Sequence, residues 1–402
     1  MASEDPDVEV DFLRFIGRRS ADAEGEEKSA NVLVGAGSLG LRSDASLLAI
    51  SNRFGALIAG TAGGLRWTWL KALRSHCAPG GGGGEAATFH EVACGGPPLC
   101  LRFNADESLL AVLVVGEGGA HTLLVFDLVA MLLQGGVGAS KPLLTHSLAA
   151  AATDVQLSPT DPSLGLALGA DGSVVLLSIA GESVTDTRLE LAQAVSSIAW
   201  SFDGAHVWCG CADGTLLRCA PSAAAEPATY LSPLDELSEH RLCTVSPVSV
   251  RYLLLGFDPP DAFTEPAIRV IDVSVPAGAA QPQQCAVSLF PLGREPGTAD
   301  VGGSATRRLH VASLPAWRLA VVCSSDSDGV CCVGSRKGGE AQRWQKWTLP
   351  DEEGPPSVPM FERGDESGDQ WMMGLGFDYG NEEQLVVVAG ACFFLFLFSV
   401  WL

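Results

Sequence analysis

The chain has seven histidines, His76, His90, His121, His146, His206, His240 and His310, the side chains best suited to proton transfer or metal ligation near neutral pH. Such chemistry needs partners at set spacings, and none of the seven stands in a His-x-x-x-His or His-x-Glu pattern. No Gly-x-Ser-x-Gly elbow offers a nucleophile. Cys209-Gly210-Cys211 and Cys331-Cys332 lack the two-residue spacer and second ligand pair of a zinc site. Strand alternation instead puts Cys209 and Cys211 on one face, as core. The run Gly80 to Gly84 is not followed by the Gly-Lys-Ser/Thr of a phosphate cradle and reads as a surface insertion. The expectation is a protein with no catalytic residue, no metal and no cofactor: not an enzyme.

Charge is the chemistry that remains. The net charge is -22 although only 18% of residues are charged. An acidic surface repels phosphate backbones, which argues against direct nucleic-acid binding, and attracts a basic protein surface. The acids concentrate in residues 350–369, where seven stand against Arg363 alone. Most acidic loops are simply solvated.

The elements that position these residues come from an internal repeat. Leu101-Arg102-Phe103-Asn104-Ala105-Asp106, Val155-Gln156-Leu157-Ser158-Pro159-Thr160-Asp161 and Ile198-Ala199-Trp200-Ser201-Phe202-Asp203-Gly204 each lead through a polar turn into a second apolar strand. The turns Asp171-Gly172 and Asp213-Gly214 lie 42 residues apart, and Asp-Gly supplies the positive φ of a tight hairpin. A period of about 40–45 residues with four strands per unit predicts an all-β fold, a seven-bladed β-propeller of divergent WD40-like repeats with an altered last blade. Helix signals are poor, with a helical turn expected only in short stretches such as 233–241. Residues 276–305 read as a loop, and Phe54-Gly55 falls inside an expected strand.

Three regions follow: an acidic N-terminal segment 1–30, the propeller 31–384, and an apolar segment 385–402. Residues 8–16 alternate apolar and polar, as either a ring-closing strand or an ordinary strand of the first blade. Residues 385–402 carry no charge over 18 positions, just long enough to cross a bilayer. Without flanking Lys or Arg they read better as strands of the last blade than as an anchor. The 12 cysteines are scattered, which fits a reducing compartment.

The propeller resembles one known family. Ser46-Leu47-Leu48-Ala49-Ile50-Ser51-Asn52-Arg53-Phe54-Gly55, then Ala59-Gly60 and Gly63-Gly64-Leu65, are similar to the first blade of the nucleoporin 214/nucleoporin 159 propellers. Asp154-Val155 through Asp171-Gly172-Ser173, Val195 to Ser201, Gly214-Thr215, Trp344 to Leu349 and Gly374 to Tyr379 follow in the family's order. The resemblance implies a docking scaffold at the nuclear pore complex, on the cytoplasmic face of the nuclear envelope. It implies a DEAD-box RNA helicase of mRNA export as partner, with other nuclear pore proteins and neither direct nucleic acid nor membrane. The family uses the loop between its sixth and seventh blades, which here is 350–369. Asp351, Glu352, Glu353, Arg363, Asp365 and Glu366 are therefore the expected partner contacts. The uncharged C-terminal stretch motivates the competing reading, an endoplasmic-reticulum-anchored propeller that exchanges nucleotide on a small GTPase in vesicle transport.

Overall fold

The computed structural model describes residues 48–72, 90–133 and 141–277, with breaks at 52, 62, 223–225, 248–249 and 259–266, and elsewhere only strands. Those strands are Leu13–Arg19, Gln283–Cys285, Leu309–Leu314, Leu319–Ser324, Gly329–Ser335, Gln342–Thr348, Met372–Asp378, Gln384–Ala389 and Phe394–Val400.

Among the described residues the strands form seven four-stranded antiparallel sheets. Sheet 1 holds Leu48–Ser51, Ala56–Thr61, Gly64–Trp69 and His90–Ala93; sheet 2 holds Pro98–Phe103, Leu109–Val115, His121–Asp127 and Leu144–Ser147. Sheet 3 holds Ala152–Leu157, Leu164–Gly169, Val174–Ala180 and Ser183–Arg188. Sheet 4 holds Val195–Trp200, Val207–Cys211, Leu216–Cys219 and Ala228–Leu231. Sheet 5 holds Arg241–Pro247, Tyr252–Asp258, Ala267–Asp272 and Gln283–Cys285, and sheet 6 the four strands from Leu309 to Thr348. In sheet 7 the strand Leu13–Arg19 pairs with Phe394–Val400, outside Gln384–Ala389 and Met372–Asp378.

The first strands of consecutive sheets lie side by side, and the first strand of sheet 7 returns against that of sheet 1. This closes a ring whose innermost strands are the first of each sheet. Four apolar clusters occupy successive gaps: sheets 1 and 2 share one, 2 and 3 the next, then 3 with 4 and 4 with 5. A middle strand is therefore covered on both faces and reads as a continuous apolar run, as in Leu109–Val115 and the wholly buried Val207–Cys211. Cys209 and Cys211 lie in the core between sheets 3 and 4. The outer strand Ser183–Arg188 is largely exposed, and its polar sequence SVTDTR keeps that edge from pairing with another chain.

Each first strand of sheets 2, 3, 4, 5 and 7 breaks register near its start, between Pro98/Cys100, Ala152/Asp154, Val195/Ser197, Leu242/Thr244 and Met372/Gly374. A repeated bulge of this kind bends the strand that must follow a ring. Gly172 and Gly214 take φ of 78° and 88° in their Asp-Gly turns, values open to glycine at little cost.

Three local expectations are corrected. Phe54 and Gly55 form the turn between the first two strands of sheet 1, because Gly55 adopts φ 66°, which ends a strand. The fourth strand of sheet 5, Gln283–Cys285, lies within the expected loop 276–305; its composition is poor in strand formers, and pairing to Ala267–Asp272 decides its state. A six-residue helix, α1 (Leu128–Leu133), follows the third strand of sheet 2, buries Leu128, Met131 and Leu132, and is capped by Asp127, whose carboxylate accepts the Ala130 N–H at 2.8 Å. The expected turn near 233–241 is the 3-10 turn Asp235–Leu237. Of the residues expected to form an N-terminal strand, 13–16 fall in Leu13–Arg19. Among the described residues no helix is long and apolar enough to cross a membrane.

Candidate protein-docking face

Antiparallel order fixes which connections share an end of the ring. The chain reaches one end at every turn between second and third strands and at every passage from one sheet to the next. Turns between first and second, and third and fourth, strands lie at the other end. Residues 350–369 join the last strand of sheet 6 to the first of sheet 7, so they attach at the sheet-to-sheet end. Asp351, Glu352, Glu353, Arg363, Asp365 and Glu366 themselves lie outside the described residues.

The two ends differ chemically. At the sheet-to-sheet end the described connections expose Asp171, Glu190, Asp213, Asp235, Glu236 and Glu239, with no lysine or arginine among their described residues. At the opposite end Asp106, Glu107, Asp161, Glu182, Asp203 and Glu226 are offset by Arg53, Lys71, Lys141 and Arg251. Among the described residues the exposed large hydrophobic side chains, Trp69, Val129, Leu133, Leu143, Phe202 and Val250, all stand at this second end. Sequence reading missed the asymmetry because acids and bases alternate along the chain; only the direction of each strand sorts them.

Many of these acids already have local work. Asp161 accepts the Ser163 N–H at 2.9 Å and its hydroxyl at 2.6 Å; Asp171 does the same for Ser173, and Asp106 for Ser108. Asp203 takes the Ser201 hydroxyl and the Ala205 N–H. Asp272 accepts from Arg251 Nε at 2.7 Å and from Ser274. These bonds favour the charged form and pull each carboxyl below 3.8, hydroxyl donors leading for the first four. At Asp272 the Arg251 bond leads and the value falls to about 2.

The unfolded chain therefore binds protons first. The stability these turns supply is complete above pH ~4 and drains away as pH falls toward 2. A urea midpoint followed from pH 5 to pH 2 is expected to hold steady and then drop below pH ~4; a flat profile would show that the turns do not brace the ring.

At the opposite end, Glu107 is the one described non-glycine residue with positive φ, 54°. Its Oε2 accepts the Ser51 hydroxyl at 2.6 Å and the Arg53 N–H at 2.8 Å, tying the first turn of sheet 2 to that of sheet 1. Arg53 also donates to the Asp106 carbonyl at 2.6 Å and lies over the Phe54 ring. Ser51 and Arg53 thus clamp sheet 1 to sheet 2.

A polar group on the innermost strands was also missed. Cys100 donates to Asp154 Oδ1 at 2.9 Å, and Arg102 Nη2 reaches Asp154 at 3.4 Å, linking sheets 2 and 3. Burial, the largest single influence, would lower the Arg102 pKa, but Asp154 and Cys100 together outweigh it and hold the guanidinium charged. The available signal was an Arg and an Asp beside the bulge of otherwise apolar strands. Burial pushes the Cys94 and Cys211 thiols up to about 12, so neither is a thiolate at neutral pH. Among the described residues no group of three His, Cys, Asp or Glu side chains is placed to hold a metal ion.

Comparison with known proteins gives a consistent picture. The family model for the NUP159/214 beta propeller matches residues 42–270. The human nuclear pore complex protein Nup214 is 24% identical over 354 residues, covering 85% of this chain and 16% of its own length. The chain thus spans about a sixth of that relative. The crystal structure of the N-terminal domain of Nup159 superposes with a TM-score of 0.62 at 15% identity, covering 97% of this chain and 95% of that one. A Saccharomyces cerevisiae structure of Dbp5 bound to Nup159, Gle1, IP6 and ADP matches with a TM-score of 0.63 at 14% identity and the same coverages. The β-propeller of Myceliophthora thermophila Cps50 (Swd1) shares the fold at a TM-score of 0.57 and 12% identity.

Proposed function

Since this chain belongs to the NUP159/214 beta-propeller family, we propose that it is a docking scaffold of the nuclear pore complex, on the cytoplasmic face, that holds a DEAD-box RNA helicase during mRNA export. The observation that carries the reading is the acid-only character of the described connections at the end of the ring where residues 350–369 attach. Carboxylates in excess at one end, even with Arg269 beside Glu236 and Arg188 near Asp171, attract a basic ATPase surface and repel RNA from the same place. Asp351, Glu352, Glu353, Arg363, Asp365 and Glu366 extend that surface, with Arg363 as the one donor able to fork onto a partner carboxylate. The solved Dbp5–Nup159 complex supports a helicase as the partner class. The propeller supplies rigidity and charge; ATP chemistry belongs to the partner.

A fluorescence titration of the propeller with the helicase tests this. Affinity is expected to fall by about 10-fold or more between 50 and 300 mM salt, because exposed charges separated by more than ~8 Å are screened. Added single-stranded RNA is expected to compete. Binding that ignores both salt and RNA would overturn the reading.

A further inference from the structure

We propose that Ser232 is a phosphorylation site for a proline-directed protein kinase. The chain contains three Ser-Pro steps, Ser158-Pro159, Ser232-Pro233 and Ser246-Pro247. Such a kinase needs an exposed hydroxyl on backbone that lies extended in its groove, followed by a proline whose missing N–H leaves no donor unsatisfied.

The fold withholds two of the three. Ser158 is buried, and its Oγ accepts the Thr160 and Asp161 N–H groups at 3.4 and 3.3 Å. Ser246 sits in the innermost strand of sheet 5, paired with Leu254. Ser232 is exposed, as is Pro233, directly after the last paired residue of sheet 4, Leu231. Leu234 remains extended, with φ -81° and ψ 131°, before the 3-10 turn Asp235–Leu237 begins. A kinase can therefore take this segment without breaking a strand ladder.

The transfer is ordinary phosphoryl chemistry. Ser232 Oγ attacks the γ-phosphorus of Mg-ATP; the new O–P bond forms as the bond to the β,γ-bridging oxygen breaks. ADP leaves, and the hydroxyl proton passes to the kinase's catalytic carboxylate. The product adds a charge of about -1.5 to -2 beside Asp235 and Glu236. It does so close to the Asp213-Gly214 turn, since a Cβ on Gly214 would meet Pro233 at 3.7 Å. The phosphate thus joins the acidic end of the ring. Its effect on docking rests on the reading above; the modification itself does not.

The test incubates the folded chain with a mitogen-activated kinase and Mg-ATP, then measures intact mass and maps the peptides. One phosphate is expected, on Ser232, and S232A is expected to lose it. No phosphate on the native chain, or an unchanged yield in S232A, or a phosphate on Ser158 or Ser246 instead, would overturn the assignment. A phosphorylated chain that fails to bind helicase would sink the docking reading and leave this one standing.

Discussion

Changing Asp351, Glu352, Glu353, Asp365 and Glu366 together to Lys is expected to cost the propeller at least about 100-fold in helicase affinity near 0.15 M salt, most of it in the association rate. The variant replaces five attractive charges by five repulsive ones on the side expected to meet a basic surface. Two controls separate docking from folding. Changing Glu190, Asp235 and Glu239 to Lys touches the same end outside that segment and is expected to weaken binding by a smaller factor, about 3- to 10-fold. Changing Glu182 and Glu226 to Lys alters charge at the opposite end and is expected to leave affinity within about twofold, since a strand's length, about 13–23 Å, separates the two ends and exceeds a Debye length. Equal losses from both ends would mean that net charge, rather than a defined face, drives the encounter. An intact affinity in the first variant would remove 350–369 from the interface. Asp171 and Asp213 are poor choices for such a test, because each accepts the backbone N–H of the residue two places on and a change there disturbs a hairpin.

Asp154→Ala is expected to cost about 1–3 kcal/mol of stability, because it removes from between two innermost strands a nearly buried acceptor that takes hydrogen bonds from Cys100 and Arg102. Asp154 is nearly buried, touches the Cys100 thiol and the Arg102 guanidinium, and joins the innermost strands of two sheets. Denaturant unfolding of Asp154→Ala, Arg102→Met and the double variant measures the coupling. The double variant is expected to be less destabilised than the sum of the singles. Strict additivity would show that the pair does not hold sheets 2 and 3 together.

Much of this molecule was legible before folding. Asp171-Gly172 and Asp213-Gly214 announce hairpins, since few residues tolerate their positive φ. The second strands announce themselves as uninterrupted apolar runs, since sheets cover both faces. Where the sequence misled, tertiary context had overruled local preference. Gln283–Cys285 is a strand because a neighbour pairs with it. α1 has the apolar composition of a strand, but Asp127 caps its start. The Glu107 clamp was invisible because its partners lie 54 and 56 residues away in sequence.

By itself the sequence determined the repeat, the turn chemistry, the acidic balance and the absence of any spacing suited to catalysis. These are local properties, written within a few residues. Only the tertiary structure decided which charges share an end of the ring, which Ser-Pro step is exposed, and that Cys100, Arg102 and Asp154 meet. The physical reason is that each depends on strand direction and on contacts between sheets, and a chain acquires those only when the ring closes.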